Sequence, residues 1–269
     1  MTSERFRALH RPGTPFLLPN AWDHASALAL LDAGFTAIGT TSLGVAHAAG
    51  IADATGQARR QTLDLARLLG RLPILLTVDI EGGFSTDPTE VADLAAELRD
   101  AGAVGLNLED GRPGGELADP EAQAVLVEAI KTRVPDLFVN ARTDPYWIGA
   151  PEPLARSLER AKRYVAAGAD GVFVPGVTEE AAIGTIAAQV GAPLNVLAGR
   201  SLETLGRLGV SRVSTGSLLF RAAISAAASI AEAIRDGRET DLSDVPDFSG
   251  VAAYAEFEQR LERYRDQTA

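Results

Sequence analysis

The segment DAGAVGLNL, residues 100–108, closes a helical pattern on a glycine and passes directly into an apolar run. The same arrangement recurs in DAGFTAIGT (32–40), AAGADGVFV (166–174) and RLGVSRVST (207–215). Gly34, Gly102, Gly168 and Gly209 read as helix C′ residues, where the chain turns left-handed and glycine meets no steric penalty. Outward from these four junctions, strands are expected over 16–22, 37–42, 74–82, 104–110, 137–144, 171–176, 193–199 and 212–217. Helical patterns fall between them, at 23–33, 60–70, 88–101, 120–133, 151–167, 178–190 and 201–208, with an eighth at 218–236. Near-continuous apolar strands suit a parallel sheet covered on both faces. Eight strands, each followed by a helix, predict an α/β chain folded as a (β/α)8 TIM-type barrel. The competing doubly wound open sheet lacks support, because no GxGxxG turn follows the first strand.

After Gly237 the pattern changes to a polar linker, RETDLSDVPDFSG, and a final amphipathic helix, VAAYAEFEQRLERYRDQ. The expected organisation is a barrel over 1–237 and an appended helical segment over 238–269, packed either on its own barrel or on a neighbouring subunit.

Composition narrows the function. The 269 residues are 46% hydrophobic and 23% charged, as in a folded globular chain. No apolar run approaches the roughly 20 residues of a membrane span. The start, MTSERFRALHRPGTP, has no apolar core of a signal peptide, so a cytoplasmic location is expected. The absence of cysteine excludes disulfides, thiolate metal sites and a cysteine nucleophile or acid. A net charge of −11 disfavours nucleic acid and anionic membranes as partners. The two lysines, Lys131 and Lys162, lie inside helical patterns, which argues against a Schiff-base mechanism in the barrel mouth.

In a barrel of this type, chemistry gathers at the C-terminal strand ends. Asp79 and Glu81 are two residues apart on the third expected strand and should share a side, as should Asn107 and Glu109 on the fourth. Asp110 should point the other way. The fifth strand ends in Asn140, Arg142, Thr143 and Asp144. Carboxylates on neighbouring strands repel unless a cation sits among them, and a hard divalent ion, Mg²⁺ above all, suits oxygen ligands. The alternative is a structural network in which Arg142 pairs with the acids. In the segment after the second strand, Thr41, Ser42 and the amides around Leu43 and Gly44 are candidates for cradling an anionic group. Asp53 there either reaches metal-bound water or caps a turn. Asn195, on the seventh strand, is a further substrate-binding candidate. His10 and His24 read as structural. The turns LAGRSL (197–202) and STGSLLF (214–220) have the composition of a barrel phosphate site and form a competing location.

With these residues placed, the chain resembles the isocitrate lyase/phosphoenolpyruvate mutase family. The resemblance lies in PNAWD (19–23), TTSLGVAHAAGIAD (40–53), TVDIEGGF (77–84), GLNLEDG (105–111) and VNARTD (139–144). It implies a Mg²⁺-dependent barrel, with Mn²⁺ as a substitute, that makes or breaks C–C or P–C bonds through a pyruvate-type enolate. It implies Asp79 as direct metal ligand, Glu81 and Glu109 on metal-bound waters and Asp53 nearby. Thr41, Ser42 and Leu43 would grip the substrate carboxylate, and Arg142 would neutralise the developing oxyanion. Arg142, Asp53 and Glu109 are thus the catalytic candidates. Two departures stand out. Glu81 replaces the second aspartate of the family's D-x-D. The loop EDGRPGGELADPEAQ (109–123) lacks the Cys, Lys, His and Asn that the family's gating loops use. His47 and Glu116 are weaker candidates for the missing acid.

The expected activity is a lyase or decarboxylase acting on a small 2-oxo- or 2-hydroxy-(di)carboxylate. The alternatives are a C–C or P–C bond hydrolase, of the oxaloacetate- or phosphonopyruvate-hydrolase kind, and a ligand-binding barrel without catalysis. The family's exchange of C-terminal helices leads to the further expectation of a homo-oligomer, dimer or tetramer.

Overall fold

The computed structural model describes residues 2–243, 245–252 and 254. The chain opens with α1 (Thr2–Leu9), β1 (Phe16–Leu18), β2 (Asn20–Ala21), α2 (His24–Asp32) and β3 (Ala37–Thr40). There follow α3 (Ser42–Ala48), α4 (Arg59–Leu69), β4 (Leu75–Asp79), α5 (Pro88–Asp100) and β5 (Ala103–Glu109). A short hairpin of β6 (Gly111–Arg112) and β7 (Glu116–Leu117) leads to α6 (Pro120–Arg133), β8 (Phe138–Arg142) and α7 (Pro153–Ala166). The chain continues through β9 (Gly171–Phe173), α8 (Glu180–Gln189), β10 (Leu194–Leu197), α9 (Leu202–Arg207), β11 (Arg212–Ser214), α10 (Leu218–Arg235) and α11 (Phe248–Ala252).

Nine strands form one parallel sheet in the order β1-β11-β10-β9-β8-β5-β4-β3-β2. Its two ends, β1 and β2, are consecutive pieces of one segment interrupted at Pro19, which has no N–H to give a ladder. β1 pairs with β11 and β2 with β3, so this segment closes the ring and the eight expected staves form a barrel. Across the break, the Leu18 carbonyl accepts from the Thr215 amide at 3.2 Å, and the Pro19 carbonyl from the Gly39 amide at 2.9 Å.

The helices begin and end where the sequence punctuates them. Asp87 and Asp119 cap α5 and α6 through their carboxylates, each followed by proline at the first helical position. Gly34, Gly102, Gly168 and Gly209 adopt φ of +91°, +104°, +102° and +87°, the left-handed geometry their positions require.

Two helices were not expected. The Thr41–Gly44 segment, read as loop, is the start of α3, with Thr41 as its N-cap residue. α1 plugs the N-terminal end of the barrel: Phe6 is buried against Phe16 and Phe138, and the His10 ring stacks on Phe138 at 4.2 Å. Burial, with help from the Arg212 charge, pushes His10 down to about 3, so it stays a neutral packing residue.

Above this plug the barrel interior becomes polar. Asn140 Nδ2 donates to Asn107 Oδ1 at 2.9 Å, and Arg212 Nη2 approaches the same oxygen at 3.4 Å. β11 and β5 are not neighbours in the sheet, so the Arg212 side chain reaches across the interior. α10 ends at Arg235, with Gly237 left-handed at φ +68°, where the linker was expected to begin. Most of the expected final helix, 251–267, lies outside the described residues. Among the described residues, no helix is long and apolar enough to cross a membrane.

Candidate active site at the C-terminal mouth of the barrel

Three neighbouring strands, β4, β5 and β8, end in Asp79, Glu109 and Arg142. β5 stays extended through Glu109, so Asn107 and Glu109 share the inner side as alternation requires. Glu81 arrives differently. β4 stops at Asp79, and Glu81 lies in the following turn at φ +50°. The simple two-apart rule therefore does not explain its place. Its carboxylate is nonetheless within the field of Asp53 and Asp79, and its Oε2 accepts from the Gly56 amide at 3.0 Å.

The mouth holds a cavity of about 120 Å³. Asp53, Asp79, Arg142, Thr41, Ser42 and Leu43 line one part of it. That size is small beside the roughly 300–1,000 Å³ clefts of drug-sized ligands, so the site suits a compact molecule. Glu81 and Glu109 face an adjoining cavity of about 230 Å³, bounded also by Ala54, Phe84 and Arg112. Ala54, Glu81 and Phe84 all have positive φ, at 58°, 50° and 58°. Non-glycine residues held there are strained, and such strain collects at functional sites.

Arg142 is fixed before any ligand arrives. Its Nη1 lies 2.6 Å from Glu109 Oε2, and its Nε donates to Asp144 Oδ1 at 2.7 Å. The guanidinium also sits 5.7 Å from the Trp147 ring centre and 5.8 Å from that of Phe173. Burial opposes its charge, but Glu109, Asp144 and Asp79 outweigh this and raise its pKa above the usual value.

One arginine does not balance these acids. Burial pushes Glu109 up to about 8, with Arg142 opposing and Asp79, Asp144 and Asp53 adding to the rise. Burial pushes Glu81 up to about 7, against the Gly56 hydrogen bond and with Asp53 and Asp79 adding to the rise. Asp79 is raised for the same first reason, despite Arg142 and the Ser42 amide. Asp53 Oδ1 and Glu81 Oε1 are buried with no hydrogen-bond partner. Unpaired buried oxygens that repel one another fit a hard divalent cation, and Mg²⁺ fits this donor set. Among the described residues, no three acidic or histidine side chains gather into a complete cage. Mg²⁺ does not require one, since it binds through one or two carboxylates and keeps several waters.

Other expected residues lie elsewhere. Gly44 packs under Trp22 and Phe220, where an added Cβ would come within 2.7 Å of Trp22 Cβ. Asn195 is buried behind the cavity wall, its Oδ1 accepting from Ser214 Oγ at 3.2 Å. His47 is exposed and meets Phe220 edge-on, and Glu116 is exposed in the hairpin. The two turns of the competing site meet the Asp79 cavity unequally, LAGRSL only through Leu197. Ser214 to Ser217 line the Asp79 cavity, whereas Arg200 of LAGRSL is engaged with the Thr178 carbonyl and Glu180. Trp147, Phe173, Arg212 and Arg221 were missed. Trp147 follows a strand end by a few residues, a signal that position alone offered.

Residues 6–235 match the family model described as phosphoenolpyruvate phosphomutase. An uncharacterized protein of Mycobacterium tuberculosis is 43% identical over 266 residues, 98% of each chain. The 2-methylisocitrate lyase of Halalkalibacterium halodurans is 31% identical over 203 residues, covering 71% of this chain and 66% of that one. A solved complex of phosphonopyruvate hydrolase with oxalate and Mg²⁺ has a TM-score of 0.82 at 21% identity, covering 97% of this chain and 96% of that one, a likeness of fold. With the family motifs at its strand ends and the family model spanning its barrel, the chain belongs to the isocitrate lyase/phosphoenolpyruvate phosphomutase family, whose members act on small carboxylates.

Proposed function

We propose that this protein is a Mg²⁺-dependent lyase or decarboxylase that cleaves a small 2-oxo- or 2-hydroxy-(di)carboxylate. The observation that carries the reading is the excess of buried acid around Asp79, with Asp53 Oδ1 and Glu81 Oε1 left unpartnered. Asp79 would hold the metal directly, with Glu81 and Glu109 acting through water and Asp53 beside them. When bound, Mg²⁺ would supply Lewis-acid stabilisation of negative charge developing on the substrate oxygen.

The chain's own groups do the rest. Thr41 and Ser42 line the cavity beside Asp79, which supports their binding the substrate carboxylate. Arg142, held by Glu109, Asp144 and two aromatic rings, presents a guanidinium that need not reorganise as charge builds. Trp147, Phe173 and Leu197 give the cavity an apolar wall that limits water. The exposed Leu218, Ile224 and Ile234 along α10 support the expectation of a homo-oligomer.

Titration with oxalate, with and without Mg²⁺, tests the site. Binding should require Mg²⁺ and weaken by about 100-fold or more in Asp79→Ala, the scale of losing a metal ligand. Metal-independent binding, or binding indifferent to Asp79→Ala, would overturn the reading. Product analysis then separates the chemistries: an aldehyde or keto acid from cleavage, acetate or phosphate from hydrolysis.

A further inference from the structure

The groups assigned above to metal and carboxylate leave the larger of the two mouth cavities without a role. It measures about 230 Å³, against about 120 Å³ for the one that contains Asp79. The two adjoin at two places. Asp53 lines the smaller cavity and Ala54, the next residue, lines the larger. Arg142 lines the smaller, and Glu109, whose Oε2 lies 2.6 Å from Arg142 Nη1, lines the larger. A molecule held at Asp79 and Arg142 thus has this second space directly beside it.

Of the four non-glycine residues with positive φ among the described residues, three border this cavity: Ala54, Glu81 and Phe84. Left-handed backbone persists in such residues only where the surroundings over-determine it, and it collects at ligand sites. Here it brings two segments together, since a Cβ on Gly56 would lie 4.0 Å from Phe84 Cα. Phe84 is half-buried and packed against the main core cluster, so the cavity has an anchored apolar wall. Ala54 and Pro113 add to it. The charged groups are Glu81, Glu109 and Arg112, and the arginine is already engaged. Its Nη1 donates to the Glu109 and Gly111 carbonyls, and its Nη2 to Gln123 Oε1. A bound divalent ion does not reverse the sign. The four carboxylates of Asp53, Asp79, Glu81 and Glu109 face the two charges of the ion and the one of Arg142. An anionic group entering this space meets like charge and loses its hydration with no free cation in exchange. An alkyl group exchanges water for the Phe84 ring.

We propose that this larger cavity is a specificity pocket for the far arm of the substrate, and that the arm it selects is a short, uncharged alkyl chain. This rests on the Asp79 cavity holding the 2-oxo- or 2-hydroxy-carboxylate head, as proposed above. The arm then passes Glu109 and ends against Phe84. The favoured substrate is a monocarboxylate, the narrower part of the class proposed above, and Phe84 is its specificity-determining residue.

The test uses oxamates, amide analogues of 2-oxo acids, in titration calorimetry on the Mg²⁺-loaded protein. N-propyloxamate and N-(2-carboxyethyl)oxamate carry arms of matching length, one ending in a methyl group and the other in a carboxylate. Oxalate has no arm and probes the Asp79 cavity alone. N-propyloxamate should bind about tenfold or more tightly than oxamate, since each buried methylene contributes about threefold to fourfold. N-(2-carboxyethyl)oxamate should bind no more tightly than oxamate. Phe84→Ala should cut the propyl gain to about threefold or less and Phe84→Leu should keep most of it, a split that a purely structural role would not produce. If the Phe84 variants do not fold, the matched pair in the unaltered protein decides alone. N-(2-carboxyethyl)oxamate binding as tightly as N-propyloxamate would overturn the pocket, as would a propyl arm that adds nothing. So would a Phe84→Ala variant that leaves the propyl gain intact, or that weakens oxalate as much as N-propyloxamate. Failure of oxalate to bind at all would instead overturn the Asp79 reading, and this proposal with it.

Discussion

Glu109 and Asp110 are adjacent acids that the barrel wall sends to opposite sides, and their surroundings could hardly differ more. Asp110 is fully buried outside the barrel and accepts four hydrogen bonds. These come from Thr143 Oγ1 at 3.0 Å, the Asp144 amide at 2.8 Å, Arg160 Nη1 at 2.9 Å and Tyr164 OH at 2.7 Å. Arg160 balances its charge, and the cluster is complete in itself. Among the described residues, Glu109 pairs with Arg142 alone, shared with Asp144, and faces Asp79 and Asp53 as repelling neighbours. Burial does not separate these two acids, since both are buried. What separates them is whether the protein supplies enough donors and positive charge to satisfy them.

The largest expected effect tests the closed side of that contrast. Asp110→Ala strands Arg160 and Tyr164 OH, and breaking a buried pair from one side typically costs about 3–5 kcal/mol. Urea unfolding should register that loss. Asp79→Ala should cost less than about 1 kcal/mol, or stabilise the metal-free protein, because it removes an acid that its surroundings penalise. Equal losses at the two positions would break the comparison.

A second effect, expected to be on the order of a few kcal/mol, concerns pH. The folded, metal-free protein holds Glu109 at about 8 and Glu81 at about 7, against the ordinary 4.5 of a free glutamate carboxyl. Between those values the native state keeps protons that the unfolded chain has released. Stability should therefore fall as pH rises from about 4.5 through about 8. Glu109→Gln should flatten the upper part of that fall, and saturating Mg²⁺ should offset it by stabilising the ionised cluster. A metal-free protein whose stability rises across this window would show that the acids are satisfied by something in the chain itself.

The same pair explains how far the sequence could be read. β5 is extended from Ala103 through Glu109, so alternation places Asn107 and Glu109 inside and Asp110 outside. The four glycine junctions and the strand count likewise follow from local backbone chemistry, and the barrel with them. Alternation fails one strand earlier, because β4 ends at Asp79 and Glu81 itself takes a left-handed φ of +50° in the turn that follows. Nothing in TVDIEGG announces that stop. Arg212 was hidden for a different reason. A single arginine in RVSTGS looks like a surface residue until the closed ring turns it inward and sets it against Asn107 from across the barrel. α1 was equally obscure, since its packing depends mainly on Phe6 meeting Phe138, more than 130 positions away.

The smallest effect lies in the hairpin, where the sequence reveals which residues are missing but not what the segment does. Arg112 Nη1 donates to the Glu109 and Gly111 carbonyls at 3.0 and 2.7 Å, and Nη2 to Gln123 Oε1 at 2.9 Å. Gly82 lies so close beneath that an added Cβ would come within 2.5 Å of Nη1. These contacts pin β6–β7 as a fixed wall beside Glu109. Arg112→Met keeps the apolar stem and removes the hydrogen bonds, so stability should drop by about 1–2 kcal/mol. Amides of 111–117 should exchange faster while those of β4 and β8 keep their protection. Because Arg112 lines the adjoining cavity and not the one that contains Asp79, Mg²⁺-dependent oxalate affinity should change by less than about threefold. A loss approaching that of Asp79→Ala would mean that the hairpin belongs to the binding machinery, and that the acid-rich side of the mouth extends one loop further than the Glu109–Asp110 contrast implies.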